Sequence, residues 1–277
     1  MYRVSKVLNN NGVIAIDMDE NKEYVILGKG VGFGKKVSQR FDMPEGCTTY
    51  RLEQETERGS AKELVKGIEP EYLEIADAIL TESQKVFGDS IDRGILFPLA
   101  DHISFAVARI RRNEQISNPL TEDIKVLFYS EFKVAETLKT ILRERLQIEI
   151  DDHEVGYVAL HIHSAIGDEK VSVAMQTARA VRECIDMIEK ATGKPIDVLS
   201  LSYNRLMNHM KYMVARASTG EKLNLDMNEY MLDQYPQAYK VATDICKNLE
   251  GCIGHKLDET ETGYLAMHIQ RVYKDAV

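Results

Sequence analysis

Nine residues, EVGYVALHI from Glu154 to Ile162, reappear as ETGYLAMHI from Glu261 to Ile269. The same offset of 107 positions relates Val107–Arg109 to Val214–Arg216 and Lys133–Ala135 to Lys240–Ala242, and it needs no gap. From His102 to Ile162, 17 of 61 positions match those from His209 to Ile269, and many others exchange one apolar residue for another. Each copy carries two histidines 59 residues apart, His102 with His161 and His209 with His268. This period is far longer than the roughly 20 to 50 residues of a solenoid repeat, so the chain contains a duplicated domain.

The 277 residues leave room ahead of the duplication for a third, smaller domain. Tyr2–Leu8, Val13–Asp17, Tyr24–Leu27 and Thr48–Leu52 are short runs rich in Val, Ile, Tyr and Thr, separated by turn-forming segments. They predict a four-stranded antiparallel sheet over residues 1–57, with one core face and a second face open to dimerisation. After Ser60 the apolar spacing becomes helical: Leu73, Ala76, Ile79 or Leu80, Ser83 and Phe87 behind Pro70, then Phe132, Ala135, Leu138, Leu142 and Leu146, then Ala174, Ala178, Val181, Ile185 and Ile188. Breaks at Asn113–Pro119, Gly167–Lys170 and Gly193–Pro195 divide this part into two all-α bundles of four or five helices. The expected domains are 1–57, 58–169 and 170–277.

Charge is uneven along the chain. The net charge is -9, yet residues 1–40 hold seven Lys/Arg against four Asp/Glu. An acidic body disfavours general nucleic-acid binding, whereas the basic head can meet phosphates. Cys47, Cys184, Cys246 and Cys252 form no CxxC pair, which favours free thiols in a reducing cytoplasm. No apolar run approaches the roughly 20 residues of a membrane-spanning helix.

Within the head, GKGVGFGKK from Gly28 to Lys36 follows a strand directly. Its glycines allow close backbone approach, Lys29, Lys35 and Lys36 supply charge, and Phe33 offers a ring on which a base can stack. A P-loop does not fit: Lys29 stands where the first glycine is required and Lys36 where the hydroxyl is required, and the spacing GxGxGxG is not GxGxxG either. Asn9–Asn11 read either as a hairpin turn, with Gly12 at positive φ, or as amides that address base edges and ribose hydroxyls.

KVLNNNGVIAI and VILGKGVGFGKK resemble the RNA-binding co-antiterminator domain of the BglG/SacY/LicT antiterminators. The duplicated body resembles their two phosphotransferase-system regulation domains, through DHISFA, ALHIHSA, NHMKYMVAR and AMHIQR around the four histidines. The loop and the HIHSA ending look most like the glucose-type, GlcT-like branch. The resemblance spans essentially the whole chain in the family's domain order. It implies a homodimer that binds an mRNA hairpin, the ribonucleic antiterminator, and keeps an overlapping terminator from forming. RNA contacts carried over from the family fall on Lys6, Asn11, Gly28, Lys29 and Phe33, with Asn10 beside them. Many members have Arg at the position of Lys29, and Lys lacks the planar fork that grips a base edge or phosphate with two bonds.

A single histidine on an apolar helix is usually a satisfied core residue, but four at duplicated positions ask for another account. Zinc would want convergent ligands such as HExxH, and a di-carboxylate bundle would want ExxH; the sequence has neither. A phosphoryl acceptor need only present an unprotonated imidazole nitrogen to an activated donor, without an ATP site or cofactor of its own. The resemblance names His102, His161, His209 and His268 as the acceptors, and HPr and sugar-specific enzyme II as donors. It also implies inactivation through the first regulation domain and, commonly, activation through the second. His153, His163 and His255 lack repeat partners and read as surface or structural.

Spacing alone adds a geometry. Arg109 lies seven residues after His102, Glu154 seven before His161, and Arg216, His209, Glu261 and His268 repeat the pattern. Seven residues are about two helical turns, so antiparallel helices would bring His102 to His161, His209 to His268, Arg109 to Glu154 and Arg216 to Glu261. Two other function classes remain in view. A DNA-binding regulator with the same sensing domains would need a helix-turn-helix head, against the strand pattern of residues 1–57; a metal-dependent helical enzyme would hold stoichiometric metal through these histidines.

Overall fold

The computed structural model describes residues 1–53, 55–56, 59–114, 116–167, 170–193, 195–197 and 200–275. The chain forms two compact units, Met1–Asn118 with Ser130–Val171, and Pro119–Tyr129 with Ser172–Val277. The expected domain edges at 57/58 and at 169 fall on residues outside those described.

The first unit opens with β1 (Tyr2–Asn9), β2 (Gly12–Asp17), β3 (Lys22–Leu27), β4 (Arg40–Phe41) and β5 (Thr48–Arg51), an antiparallel sheet of order β4-β1-β2-β3-β5. One strand more is present than the sequence predicts. The two residues of β4 are too short for alternation to register, and the pairing of Tyr2 with Phe41 secures them at the edge. Val13 lies opposite Ile26 and Ala15 opposite Tyr24. That register gathers Val4, Val13, Ala15, Ile26, Val31 and Phe41 into one core.

The opposite face is not wholly open, contrary to the expectation from sequence. There the ring of Tyr50 meets Phe97 edge-on at 6.4 Å, and its hydroxyl donates to Asp77 while accepting from Arg93. Burial of the phenol beside the Asp77 carboxylate pushes its pKa far upward. A small ribbon of β6 (Glu55–Thr56) and β7 (Gly59–Ser60) leads into the helices.

The helices of the first unit are α1 (Ala61–Gly67), α2 (Pro70–Phe87) and α3 (Leu96–Arg111), then, beyond α4 (Thr121–Leu127), α5 (Tyr129–Ala135), α6 (Thr137–Leu146) and α7 (Asp152–Gly167). Pro70 occupies the first turn of α2, where its missing N–H costs nothing, and Gly88 at φ 67° closes it. Leu73, Ala76, Ile79, Leu80, Ser83, Phe132, Ala135, Leu138 and Leu142 are buried, as their spacing predicts, whereas Phe87 and Leu146, at the ends of their stripes, are only half-buried.

In the second unit α4 packs on α9 (Leu201–Thr219), where buried Asp123 accepts from the Tyr203 hydroxyl at 3.3 Å. Burial drives the Asp123 carboxyl upward from its ordinary range, and nearby Arg182 opposes the shift. The unit is completed by α8 (Val171–Thr192), α10 (Asn228–Gln234), α11 (Pro236–Ile253) and α12 (Thr260–Asp275). Ala174, Ala178, Val181, Ile185 and Ile188 on α8 are all buried. The 107-residue offset carries α4 onto α10, the α5–α6 pair onto α11 and, within a residue or two, α3 onto α9 and α7 onto α12. No helix among the described residues is long and apolar enough to cross a membrane.

Candidate RNA face and histidine sites

The turn between β1 and β2 and the loop after β3 are built against each other. Gly28 N–H donates to Asn11 O at 2.9 Å, Gly30 N–H to Asn11 Oδ1 at 2.9 Å and Gly32 N–H to Asn10 O at 3.0 Å. Only glycine fits at position 32, where a Cβ would stand 2.0 Å from the carbonyl oxygen of Asn9. Gly12 does not take the positive φ that a two-glycine-like hairpin would give it. Its bare Cα instead makes room for Leu27, and the turn is held by the Asn9 carboxamide oxygen accepting from Asn11 N–H at 2.8 Å.

Buried Val31 anchors the loop while Phe33 projects into solvent with 74% of its surface exposed. Lys29 on the same loop is exposed too, and Lys35 instead lies over the ring of Phe41 at 5.0 Å. An outward phenylalanine on a glycine-rich loop gains nothing from the core and is available to stack on a base. Thus hydrogen bonds bring Asn10, Asn11 and Gly28 together. Lys6 is exposed on β1, lining a cleft with Leu8 and the α1–α2 connection.

One partner of this face has no signal in the sequence. Glu74 on α2 accepts from the carboxamides of Asn9, at 2.7 Å, and Asn11, at 3.2 Å, and lies 3.7 Å from Arg145. A carboxylate from the helical part therefore engages two asparagines of the turn.

Each histidine pair sits between two antiparallel helices, α3 with α7 and α9 with α12. Asp151 accepts from the N–H groups of His153 and Glu154 at 3.0 and 3.2 Å, capping α7 and setting Glu154 in its first turn. Asp258, the same residue one repeat later, accepts from Thr260 N–H at 3.1 Å and its hydroxyl at 2.7 Å. From these starts the helical period does the rest. The rings of His102 and His161 lie 5.3 Å apart, and those of His209 and His268 lie 4.7 Å apart, stacked at 23°.

Arg109 donates to both oxygens of Glu154 at 2.9 and 3.2 Å, and Arg216 to both of Glu261 at 2.6 and 2.9 Å. The four contacts inferred from spacing are all present. The structure adds two that spacing did not give. The same carboxylates approach the partner histidine, His102 Nε2 at 3.5 Å from Glu154 and His209 Nε2 at 3.6 Å from Glu261. Tyr157 and Tyr264, equivalent across the repeat, place their rings 5.7 Å from His102 and 6.2 Å from His209. A tyrosine four residues before each of His161 and His268 was the available clue.

Glu154 and Glu261 are only 3% and 1% exposed, so they depend on these cations. Burial opposes the charge of Glu154, but His102 and Arg109 outweigh it and hold the carboxyl below its ordinary range. In the second copy burial, with His268 and Arg216 nearby, lowers His209 to about 3. Burial together with Arg271 and Arg205 lowers His268 to about 4. Both rings are neutral at pH 7, the state a nucleophile requires. The first repeat has Pro98 and Ser164 where the second has Arg205 and Arg271. Of the unrepeated histidines, His163 meets Glu131 at 2.9 Å, His153 receives Asn118 N–H at 3.3 Å, and His255 is exposed.

A sheet with a glycine- and lysine-rich loop, followed by two copies of a His–His–Glu–Arg cluster built on a buried carboxylate, defines a duplicated regulatory protein with an RNA-sized head. The CAT RNA binding domain family matches residues 2–59, and the PRD domain family matches residues 77–165 and 182–272. The GlcA/glcB genes antiterminator of Staphylococcus carnosus is 30% identical over 274 residues, covering 97% of this chain and 94% of that protein. The transcription antiterminator LicT of Bacillus subtilis is 27% identical, covering 99% and 100%. A crystal structure of GlcT CAT-PRDI aligns with a TM-score of 0.52 at 29% identity, over 60% of this chain and 98% of that one. The chain therefore belongs to the family of RNA-binding transcriptional antiterminators that join a CAT domain to two PRD domains.

Proposed function

We propose that this antiterminator works as a cytoplasmic homodimer without enzymatic activity of its own. Residues 1–57 bind an mRNA hairpin through Lys6, Asn10, Asn11, Gly28, Lys29 and Phe33, and so prevent an overlapping terminator. Residues 58–169 and 170–277 are the two sensing domains, phosphorylated at His102, His161, His209 and His268 by HPr and sugar-specific enzyme II. The observation that carries this reading is the duplicated cluster, in which paired histidines stand beside a buried Glu–Arg pair, the second pair neutral at pH 7.

A phosphate adds about -1.5 to -2 charges. Beside His268 it would find Arg205 and Arg271, whereas the first repeat offers Pro98 and Ser164 at those positions. Charge is thus better matched in the second domain, which supports opposite effects of phosphorylation in the two. The test is to phosphorylate the full-length protein with purified enzyme I, HPr and individual enzyme II proteins, map the modified histidines, and measure hairpin affinity in parallel. Modification confined to other residues, or unchanged affinity on full modification, would refute it.

A further inference from the structure

The paired histidines do not present the same nitrogen. Nε2 is enclosed in His102 and His209, while Nδ1 is enclosed in His161 and His268. The enclosed Nε2 atoms also face an acceptor, Glu154 Oε2 at 3.5 Å and Glu261 Oε2 at 3.6 Å. A neutral imidazole carries one N–H and one lone pair. An ionised carboxylate can only accept, so the proton of His102 and His209 belongs on Nε2 and the lone pair on Nδ1. In His268 the ring lies stacked against His209 with Nδ1 inside, which leaves Nε2 as the reachable atom.

We infer that the second domain is phosphorylated on two different nitrogens, Nδ1 of His209 and Nε2 of His268, and that His102 in the first domain, like its counterpart His209, accepts on Nδ1. This rests on the reading of these residues as phosphoryl acceptors. Transfer needs attacking nitrogen, phosphorus and leaving nitrogen roughly in line, and a protein donor cannot reach an enclosed atom. The P–N bond of the donor phosphohistidine breaks, and its electron pair stays on the donor ring. The Nδ1 lone pair of His209 forms the new P–N bond, and the ring becomes a phosphoimidazolium that keeps its Nε2 proton. Glu261 then faces the positive charge that develops on that ring, as Glu154 does for His102. At His268 the bond forms at Nε2, and nearby Arg271 and Arg205 supply compensating positive charge. A donor entering from solvent therefore leaves the two phosphoryl groups of the His209–His268 pair on unlike ring positions.

The tautomers can be read before any phosphorylation. Full-length protein labelled with ¹⁵N at histidine should show, in long-range ¹H–¹⁵N spectra, a pyrrole-type Nε2 and a pyridine-type Nδ1 for His102 and His209. Phosphoenolpyruvate, enzyme I and HPr should then yield both phosphohistidine isomers in one chain, resolved by ³¹P–¹⁵N coupling or isomer-specific antibodies. His209→Gln should remove the Nδ1 isomer of the second domain, and His268→Gln its Nε2 isomer. A single isomer at all four residues, or the reverse assignment, overturns the inference while leaving the phosphorylation reading intact. Failure of all four histidines to accept phosphate would sink that reading, and an inverted tautomer at His209 would still overturn the nitrogen assignment by itself.

Discussion

Acidification should weaken the second helical unit before carboxylates elsewhere begin to titrate. His209 and His268 are held neutral in the fold, with folded pKa values of about 3 and about 4 against an unfolded value near 6.5. A depressed histidine means that the unfolded chain takes up a proton that the folded one refuses. Stability from each is therefore complete above the unfolded pKa and declines as pH falls below it, until the folded ring itself protonates. Each bound proton is worth about 1.4 kcal/mol per pH unit, so between pH 7 and pH 5 each histidine should remove about 2 kcal/mol and the pair about 4. Urea unfolding followed by far-ultraviolet circular dichroism at pH 7, 6 and 5 would compare the native chain with His209→Gln/His268→Gln. The variant should lose the steep part of the pH dependence, with hydrogen exchange placing the difference in α9 and α12. Equal slopes for the two proteins would refute buried neutral imidazoles at these positions.

Four further outcomes are expected. Phe33→Ala should cost roughly 1–3 kcal/mol of hairpin affinity, since the exposed ring has no core role to lose; unchanged binding by electrophoretic shift or fluorescence anisotropy would remove Phe33 from the RNA face. Glu74→Ala frees the amides of Asn9 and Asn11 and should tighten hairpin binding roughly fivefold, equivalent to about 1 kcal/mol; weaker binding would mean that Glu74 shapes the turn for RNA. Arg216→Ala strands a buried carboxylate and should destabilise the second unit by about 3 kcal/mol or more in urea titrations, a loss of under 1 kcal/mol being incompatible with the bracing role. His102→Asp and His161→Asp carry part of a phosphate's charge and should reduce antitermination from a reporter; full activity of both at normal protein levels would contradict inhibition through the first domain.

Much of the architecture could be read along the chain because it is periodic. A fixed offset, a seven-residue spacing and an antiparallel packing of helices suffice to bring His102 to His161 and Arg109 to Glu154, and the same rule serves the second copy. The glycine-rich loop was legible for a related reason: Gly28 and Gly32 stand where any side chain would strike Cys47 or Asn9. Tertiary structure decided what periodicity does not encode. The strand Arg40–Phe41 exists only through its pairing with β1, and Glu74 reaches Asn9 and Asn11 from more than sixty residues away. Which nitrogen of His102 and His209 faces inward depends on ring rotation against a carboxylate on another helix, and the depth of the pKa shifts depends on how completely the packing excludes water. Sequence order and helical pitch put the functional groups at the same level; side-chain rotamers and burial set their protonation, their partners and the direction from which they can be reached.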